Sequence, residues 1–313
     1  MIGHEHFEEQ LLLHRDDDML IFSSPLQLNL LRSCTHIISD GTFKYAPNGV
    51  KQIYLENYRK VPYHNWTHGW TVAHAMFVFL LRDKEFRPLE KLGLFVAAIC
   101  HDLDHRGKSN SYMKSMSTPL ASIYSTSVME HHHFNQTVTI LQQDGHNILK
   151  SLHSEEYKEV LGLIKYCILA TDLALFFPNK AKLNAIIKKE TSTGKMIHTA
   201  TAKPWKVQTE TVKVIFEEFY EQGDAEKING REPIPMMDRT KANELPQMQV
   251  GFMRGICVPC YETISGVIPD AEKLKERSLY NAGKWEELAE EQKKITAEAQ
   301  QQSTNDATEE NGS

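Results

Sequence analysis

From Ile53 onward, apolar residues return every three to four positions, the period of a helix with one buried face. The pattern predicts helices over 70–81, 89–100, 127–143, 154–177, 209–222 and 249–267. Strict alternation, the mark of a half-buried strand, is almost absent. The body of the chain therefore reads as all-α, a compact multi-helix bundle. Residues 1–50 lack this period: a polar lead-in with Asp16, Asp17 and Asp18 gives way to a short leucine patch. Ser39 to Phe43 then reads as a turn between short extended pieces. After Trp285, Glu, Gln, Lys and Ala first favour a continuing helix, and the end rich in Ser, Thr, Asn and Asp cannot bury a core. Residues 293–313 are expected to be a disordered polar tail.

Composition narrows the class. With 41% hydrophobic and 24% charged residues, the 313-residue chain is an ordinary globular protein able to bury a sizeable core without disulfides. A net charge of −6 without a basic block argues against nucleic acid as a partner. No run of about 18 apolar residues occurs, so no membrane span is expected. Five scattered cysteines suggest a reducing compartment and a cytoplasmic location. Cys257 and Cys260, a lone C-x-x-C in an apolar stretch, read as helix thiols rather than a zinc or redox pair. A homodimer is an assembly open to such a chain.

Histidine is the departure, with 15 residues, several in tight groups. His64 and His68 are four apart, as are His101 and His105, and on a helix each pair would share a face. An apolar run ends abruptly at His101-Asp102-Leu103-Asp104-His105. Glu130 precedes three histidines, and Glu130 and His133 fall one helical turn apart. Thr171-Asp172 interrupts another apolar stretch. Buried without partners such groups are costly, so hydrogen bonds or metal should hold them. Mixed imidazole and carboxylate ligands suit zinc, and a carboxylate such as Asp102 can also reach a magnesium-like or manganese-like ion. Isolated histidines such as His74, His146 and His153 read as ordinary surface residues.

His101-Asp102-Leu103-Asp104-His105-Arg106-Gly107-Lys108-Ser109-Asn110 resembles the signature segment of class I 3′,5′-cyclic nucleotide phosphodiesterases. Tyr63-His64-Asn65-Trp66-Thr67-His68, Glu130 with His132-His133, Ala170-Thr171-Asp172-Leu173 and Leu245 to Phe252 match that family in order. The resemblance covers residues 51–292, most closely the dual-specificity branch acting on cAMP and cGMP. It implies a metal site in a deep pocket, with a catalytic domain at 51–292 between the unmatched lead and the tail. It also implies metal-dependent hydrolysis of cyclic nucleotides to 5′-monophosphates in signal transduction. His64 would be the general acid that protonates the departing O3′. His68, His101 and Asp102 would hold a zinc-like ion, and Asp102 would also reach a magnesium-like or manganese-like ion. His105, Glu130 and Thr171 would stand behind these ions and hold their water. Gln249 would hydrogen-bond the purine, and Phe252 and Ile215 would sandwich its ring; a flat base suits an aromatic face and an amide.

Two features depart from the family. Its further metal-binding aspartate precedes a Lys-Pro-Trp segment, present here as Lys203-Pro204-Trp205. Only 33 positions separate Asp172 from Trp205, short by about four helical turns, and Glu190 is the one carboxylate between them. Asp172 or His198 would have to stand in for the missing ligand. Ile37 to Lys44 resembles a segment of transposase-like proteins instead of the family's opening helices. The alternative to an active hydrolase is therefore an impaired member that binds nucleotide or a partner and regulates.

Overall fold

The computed structural model describes residues 12–15, 20–22, 56–82, 86–175, 178, 202–266 and 271–310. The lead contributes an antiparallel ribbon, β1 (Leu12–Arg15) and β2 (Leu20–Phe22). The rest of the described chain is helical, as the periodicity predicts. No described helix is long and apolar enough to cross a membrane.

The first bundle comprises α1 (Trp66–Arg82), α2 (Pro88–Cys100), the short α3 (Asn110–Ser115) and α4 (Pro119–Ile123), α5 (Val128–Leu141) and α6 (Ser154–Leu169). Local chemistry sets the starts. Pro88 opens α2, where its missing N–H is no loss, and Glu90 takes the Arg87 N–H at 2.8 Å. Glu156 does the same for the His153 N–H at 3.0 Å ahead of α6. Helix α2 is central: Val96, Ala97, Ala98, Ile99 and Cys100 are all buried against α1, α5 and α6. Gly93 lets α6 come close, since a Cβ there would lie 2.8 Å from Leu163 Cδ2. Full burial of each large aliphatic chain in this core contributes roughly 1.5–3 kcal/mol.

The second bundle comprises α7 (Trp205–Ile228), α8 (Leu245–Phe252), a π-turn (Met253–Cys257), α9 (Val258–Ser265) and α10 (Glu272–Glu310). Phe216, Tyr220, Met253 and Trp285 form its core. Trp285 Nε1 donates to Gln208 Oε1 at 2.9 Å, tying α10 to α7. Gly223 on α7 is required by close approach, because a Cβ would sit 1.9 Å from the Met237 carbonyl oxygen. Helix α7 ends at the Asn229 cap, followed by Gly230 with φ +69°.

Three sequence expectations change. The helix predicted over 154–177 stops at Leu169, because Thr171 Oγ1 donates back to the Ile168 carbonyl and Asp172 Oδ1 accepts the Ala174 N–H. The helix predicted over 249–267 is broken by the π-turn just after Phe252, and Cys257 and Cys260 lie on helical backbone. Where composition suggested a disordered tail from residue 293, α10 runs to Glu310. Glu, Gln, Lys and Ala are good helix formers, and no glycine or proline intervenes before Gly312. Ser39 to Phe43, the shortened interval and His198 lie outside the described residues.

Candidate active site

Helix α2 ends at Cys100 and delivers His101 and Asp102 into a tight turn, with the Leu103 N–H bonded to the Cys100 carbonyl at 3.2 Å. His68 comes from the first turn of α1. His68 Nε2 and His101 Nε2 face each other at 3.2 Å, and Asp102 Oδ2 lies 3.2 Å from the first and 3.0 Å from the second. His101 Nδ1 donates to the Ala98 carbonyl at 2.8 Å, which turns Nε2 toward His68 and Asp102. Burial pulls the His101 pKa down, but the charge and hydrogen bond of Asp102 outweigh it and raise it, so a cation bound there would displace the Nε2 proton. Burial lowers the His68 pKa most strongly, against the opposing pull of Asp102, so this ring favours the neutral form. Burial would raise the Asp102 pKa, but His101 and His68 outweigh it and hold the carboxylate well below its ordinary value.

This donor set fits a divalent cation. A neutral imidazole, an oriented second imidazole and an ionised carboxylate converge from three directions, with the two rings tilted by 56°. Two other groups bring ligand atoms within 4.8 Å: His64, His105 and Glu218, and Asp102, His105 and His133. Their rings do not converge. His105 stacks on His64 at 4.1 Å and 23°, and on His133 at 5.5 Å and 21°. Near-parallel imidazoles aim their in-plane lone pairs side by side, so the His68, His101 and Asp102 group is the better metal site.

His64 precedes α1. Asn65 makes the turn there: its side chain donates to the Val61 and Pro62 carbonyls at 2.9 and 3.0 Å and accepts the Thr67 N–H at 2.9 Å. His64 Nδ1 is hydrogen-bonded to Glu218 Oε1, while Glu218 Oε2 accepts the Tyr63 and His64 N–H groups at 2.8 and 3.0 Å. Burial pulls the His64 pKa down, but the Glu218 hydrogen bond and the fields of Asp102, Glu218 and Glu130 outweigh it and raise it overall. Burial would raise Glu218, yet the His64 hydrogen bond and charge leave it lowered. The pair therefore favours an imidazolium held on a carboxylate, a form whose second proton lies on Nε2.

Glu130 Oε2 accepts from Asn110 Nδ2 at 2.8 Å, and burial, with Asp172 adding to it against that bond, pushes the Glu130 pKa up to about 7. His105 Nδ1 accepts the Gly107 N–H at 3.0 Å; burial and the neighbouring His64 charge keep the ring neutral. Thr171 is turned back onto Ile168. Asp172 is buried but engaged elsewhere, accepting from Ser127 Oγ at 2.7 Å and from the Ala174 N–H at 2.9 Å. Gln249 is buried on α8, and Phe252 and Ile215 both pack against the core of the second bundle.

The sequence and fold comparisons identify the family of the domain. Residues 63–278, more than half the chain, match the family model described as 3′5′-cyclic nucleotide phosphodiesterase. The chain belongs to that family. It is 64% identical over 272 residues to a probable 3′,5′-cyclic phosphodiesterase of Caenorhabditis elegans, covering 82% of this chain and 37% of that protein. It is 42% identical over 254 residues to a cGMP-specific 3′,5′-cyclic phosphodiesterase of Drosophila virilis, covering 75% of this chain and 28% of the relative. The chain thus spans a little over a third of the length of the first of these relatives and under a third of the second. Its fold is similar to the crystal structure of the phosphodiesterase domain of the RhoPDE fusion protein from the choanoflagellate Salpingoeca rosetta. The TM-score is 0.73 at 26% identity, covering 78% of this chain and 83% of the other.

Within this phosphodiesterase domain, the sequence reading of the site missed Glu218 and grouped His133 with Glu130 without giving it a role. Glu218 was hidden in the Glu217-Glu218 pair of an ordinary amphipathic helix, 154 positions from His64. His133 is only 1% exposed and donates from Nδ1 to the Leu103 carbonyl at 2.6 Å; burial holds its pKa down to about 4. Its Nε2 lone pair then faces Asp102 Oδ1 at 3.8 Å, two acceptors that need a donor or a cation between them. Its place one turn after Glu130 was the available signal.

Proposed function

We propose that this phosphodiesterase domain hydrolyses 3′,5′-cyclic nucleotides to 5′-monophosphates in a metal-dependent reaction, with cGMP as the preferred substrate. The observation that carries the reading is the convergence of His68, His101 and Asp102 beside a His64 ring held by Glu218. His68, His101 and Asp102 would hold a zinc-like ion, and Asp102 would also reach a magnesium-like or manganese-like ion. Bound there, such ions supply positive charge to the phosphoryl oxygens and make water a competent nucleophile near neutral pH. Water would lose one proton to solvent as it adds to phosphorus in line with O3′, the P–O3′ bond would break, and His64 would give its Nε2 proton to O3′ and regain one from solvent. His105, Glu130 and Thr171 hold water on the attacking side. Gln249 hydrogen-bonds the purine between Phe252 and Ile215.

The preference for cGMP rests on the names of the fly relatives, which speak for cGMP where the sequence motifs had suggested dual specificity. A rotatable amide such as Gln249 can serve either base, so the side chain itself leaves both open. The impaired, purely binding role gains no support from these relatives. The test is turnover of cGMP and cAMP by the purified chain in saturating Mg²⁺ or Mn²⁺ with trace Zn²⁺, followed by ³¹P NMR. Formation of 5′-GMP, abolished in His64→Ala, is the expected result. Absence of hydrolysis of either nucleotide would overturn the reading, and equal kcat/KM for the two would restore dual specificity.

A further inference from the structure

Glu218 and Gln222 lie one turn apart on the same face of α7. Glu218 reaches His64; Gln222, only 3% exposed, reaches the other wall of the site. Gln222 Oε1 accepts the Ser109 N–H at 2.7 Å, and Gln222 Nε2 donates to Ser109 Oγ at 3.1 Å. The same Nε2 lies 2.9 Å from Glu226 Oε1 and 2.9 Å from Met237 Sδ, which fixes the amide's orientation. Ser109 Oγ in turn accepts the Tyr112 N–H at 3.2 Å and caps α3. The next residue, Asn110, donates to Glu130 Oε2 at 2.8 Å and accepts the Met129 N–H at 2.8 Å.

We propose that Gln222 is a positioning residue: it clamps Ser109 at two points so that Asn110 holds Glu130 in place across from the His64–Glu218 pair. The geometry is specific to an amide. Only a side chain with one acceptor and one donor can satisfy both the Ser109 N–H and its hydroxyl oxygen while facing the Glu226 carboxylate. A carboxylate would repel Glu226, and an apolar chain would leave the Ser109 N–H without a partner. One helix therefore sets both sides of the site, His64 through Glu218 and Glu130 through Gln222. The catalytic consequence rests on the function proposed above; the positional one does not.

Two measurements on the full chain test it. The first is amide hydrogen exchange in Gln222→Met, an unbranched chain of similar size. The Ser109 amide loses its acceptor directly; the Met129 amide, which Gln222 does not touch, should also exchange at least about tenfold faster, as it should in Asn110→Ala. An unchanged Met129 rate would overturn the proposal whether or not the chain turns over nucleotide. The second is a double-mutant cycle on kcat for cGMP. Gln222→Met should lower kcat about tenfold with KM little changed, the size usual for groups that orient a metal site. In the Asn110→Ala background the further loss should shrink to less than about twofold, while the losses in melting temperature still add. Multiplying kcat losses would mean that Gln222 does not act through Asn110. Should Gln222→Met fail to fold, Gln222→Glu, which keeps an acceptor for the Ser109 N–H but loses the donor to Ser109 Oγ, is read by the same two criteria. A wild-type chain without turnover would sink the proposed function alone, leaving the exchange result to judge the clamp.

Discussion

Glu218 binds the catalytic-acid candidate His64 at three points: one carboxylate oxygen takes the imidazole Nδ1, and the other takes the backbone N–H groups of Tyr63 and His64. A ring so held has one free proton, on Nε2, and a raised pKa that keeps it there. A general acid must be protonated to work, so activity should persist below the His64 pKa and fall as pH rises through it. In Glu218→Gln the hydrogen bond to a carboxylate and one of the charges that raise this pKa are gone, leaving Asp102 and Glu130. The alkaline limb of the kcat profile should move to lower pH, and kcat at neutral pH should fall about 10- to 100-fold, within the range ascribed to general acids. A pH–rate profile of the purified variant checks this; an unmoved alkaline limb would count against the pairing.

The His68, His101 and Asp102 group predicts a stability change on metal removal. Two imidazole nitrogens 3.2 Å apart beside a buried carboxylate form a preassembled donor set, which should favour Zn²⁺ binding to the folded chain over the unfolded one. Thermal unfolding in a chelator and at a hundredfold excess of Zn²⁺ over its Kd should differ by about 2.7 kcal/mol. Asp102→Asn removes the charge and the anionic ligand together. It should lower bound zinc, measured by elemental analysis, by at least about tenfold in affinity and abolish the difference in melting.

Asp104 carries the clearest pH dependence outside this group. Partial burial would raise its pKa, but His132 Nε2 at 2.6 Å, Arg106 at 2.9 Å and Arg59 together lower it to about 2. A carboxylate depressed in the folded state stabilises the fold above its unfolded pKa of about 4 and loses that contribution as pH falls toward about 2. Arg59 and Arg106 are exposed even though His132 is buried, so solvent screening brings the effect down to about 1 kcal/mol. Urea unfolding should find Asp104→Asn weaker than the parent by that amount at pH 7. The gap should close as the pH falls from 4 to 2.

The pattern of apolar residues revealed the fold well, because each long helix buries one face in a core and that face repeats at helical period. Helices α1, α2, α5 and α6 therefore lie close to their predicted positions. The site was legible in its residues more than in its geometry. His64 and His68, and His101 and His105, were paired by helical spacing, yet His64 sits in the Asn65 turn before α1 and His101 to Asp104 form the turn after α2. Four-residue spacing is shared by helices and by two neighbouring turns, so it placed the right side chains together for a reason the structure replaces. Glu130 and His133 do lie on one helix, as their spacing implied. Glu218 and Gln222 were invisible because their roles exist only across the two bundles, and nothing local distinguishes a glutamate that reaches a histidine from one that faces water.

Asp172 offers the sharpest test of how the missing aspartate is accommodated. Were it to replace the absent ligand, its carboxylate would have to leave Ser127 Oγ and the Ala174 N–H, both at hydrogen-bonding distance now. Ser127 already sits in left-handed backbone, φ 43°, and Asp172 is its side-chain partner. Breaking that pair would leave a buried hydroxyl and the 3₁₀ turn Leu173–Leu175 without their acceptor. Asp172→Asn is therefore expected to reduce stability by roughly 1–2 kcal/mol, seen in urea unfolding, while zinc stoichiometry and affinity stay at the parent's values. A parallel fall in zinc affinity of about tenfold or more would instead make Asp172 a ligand, since that is the loss expected when a metal site is disturbed.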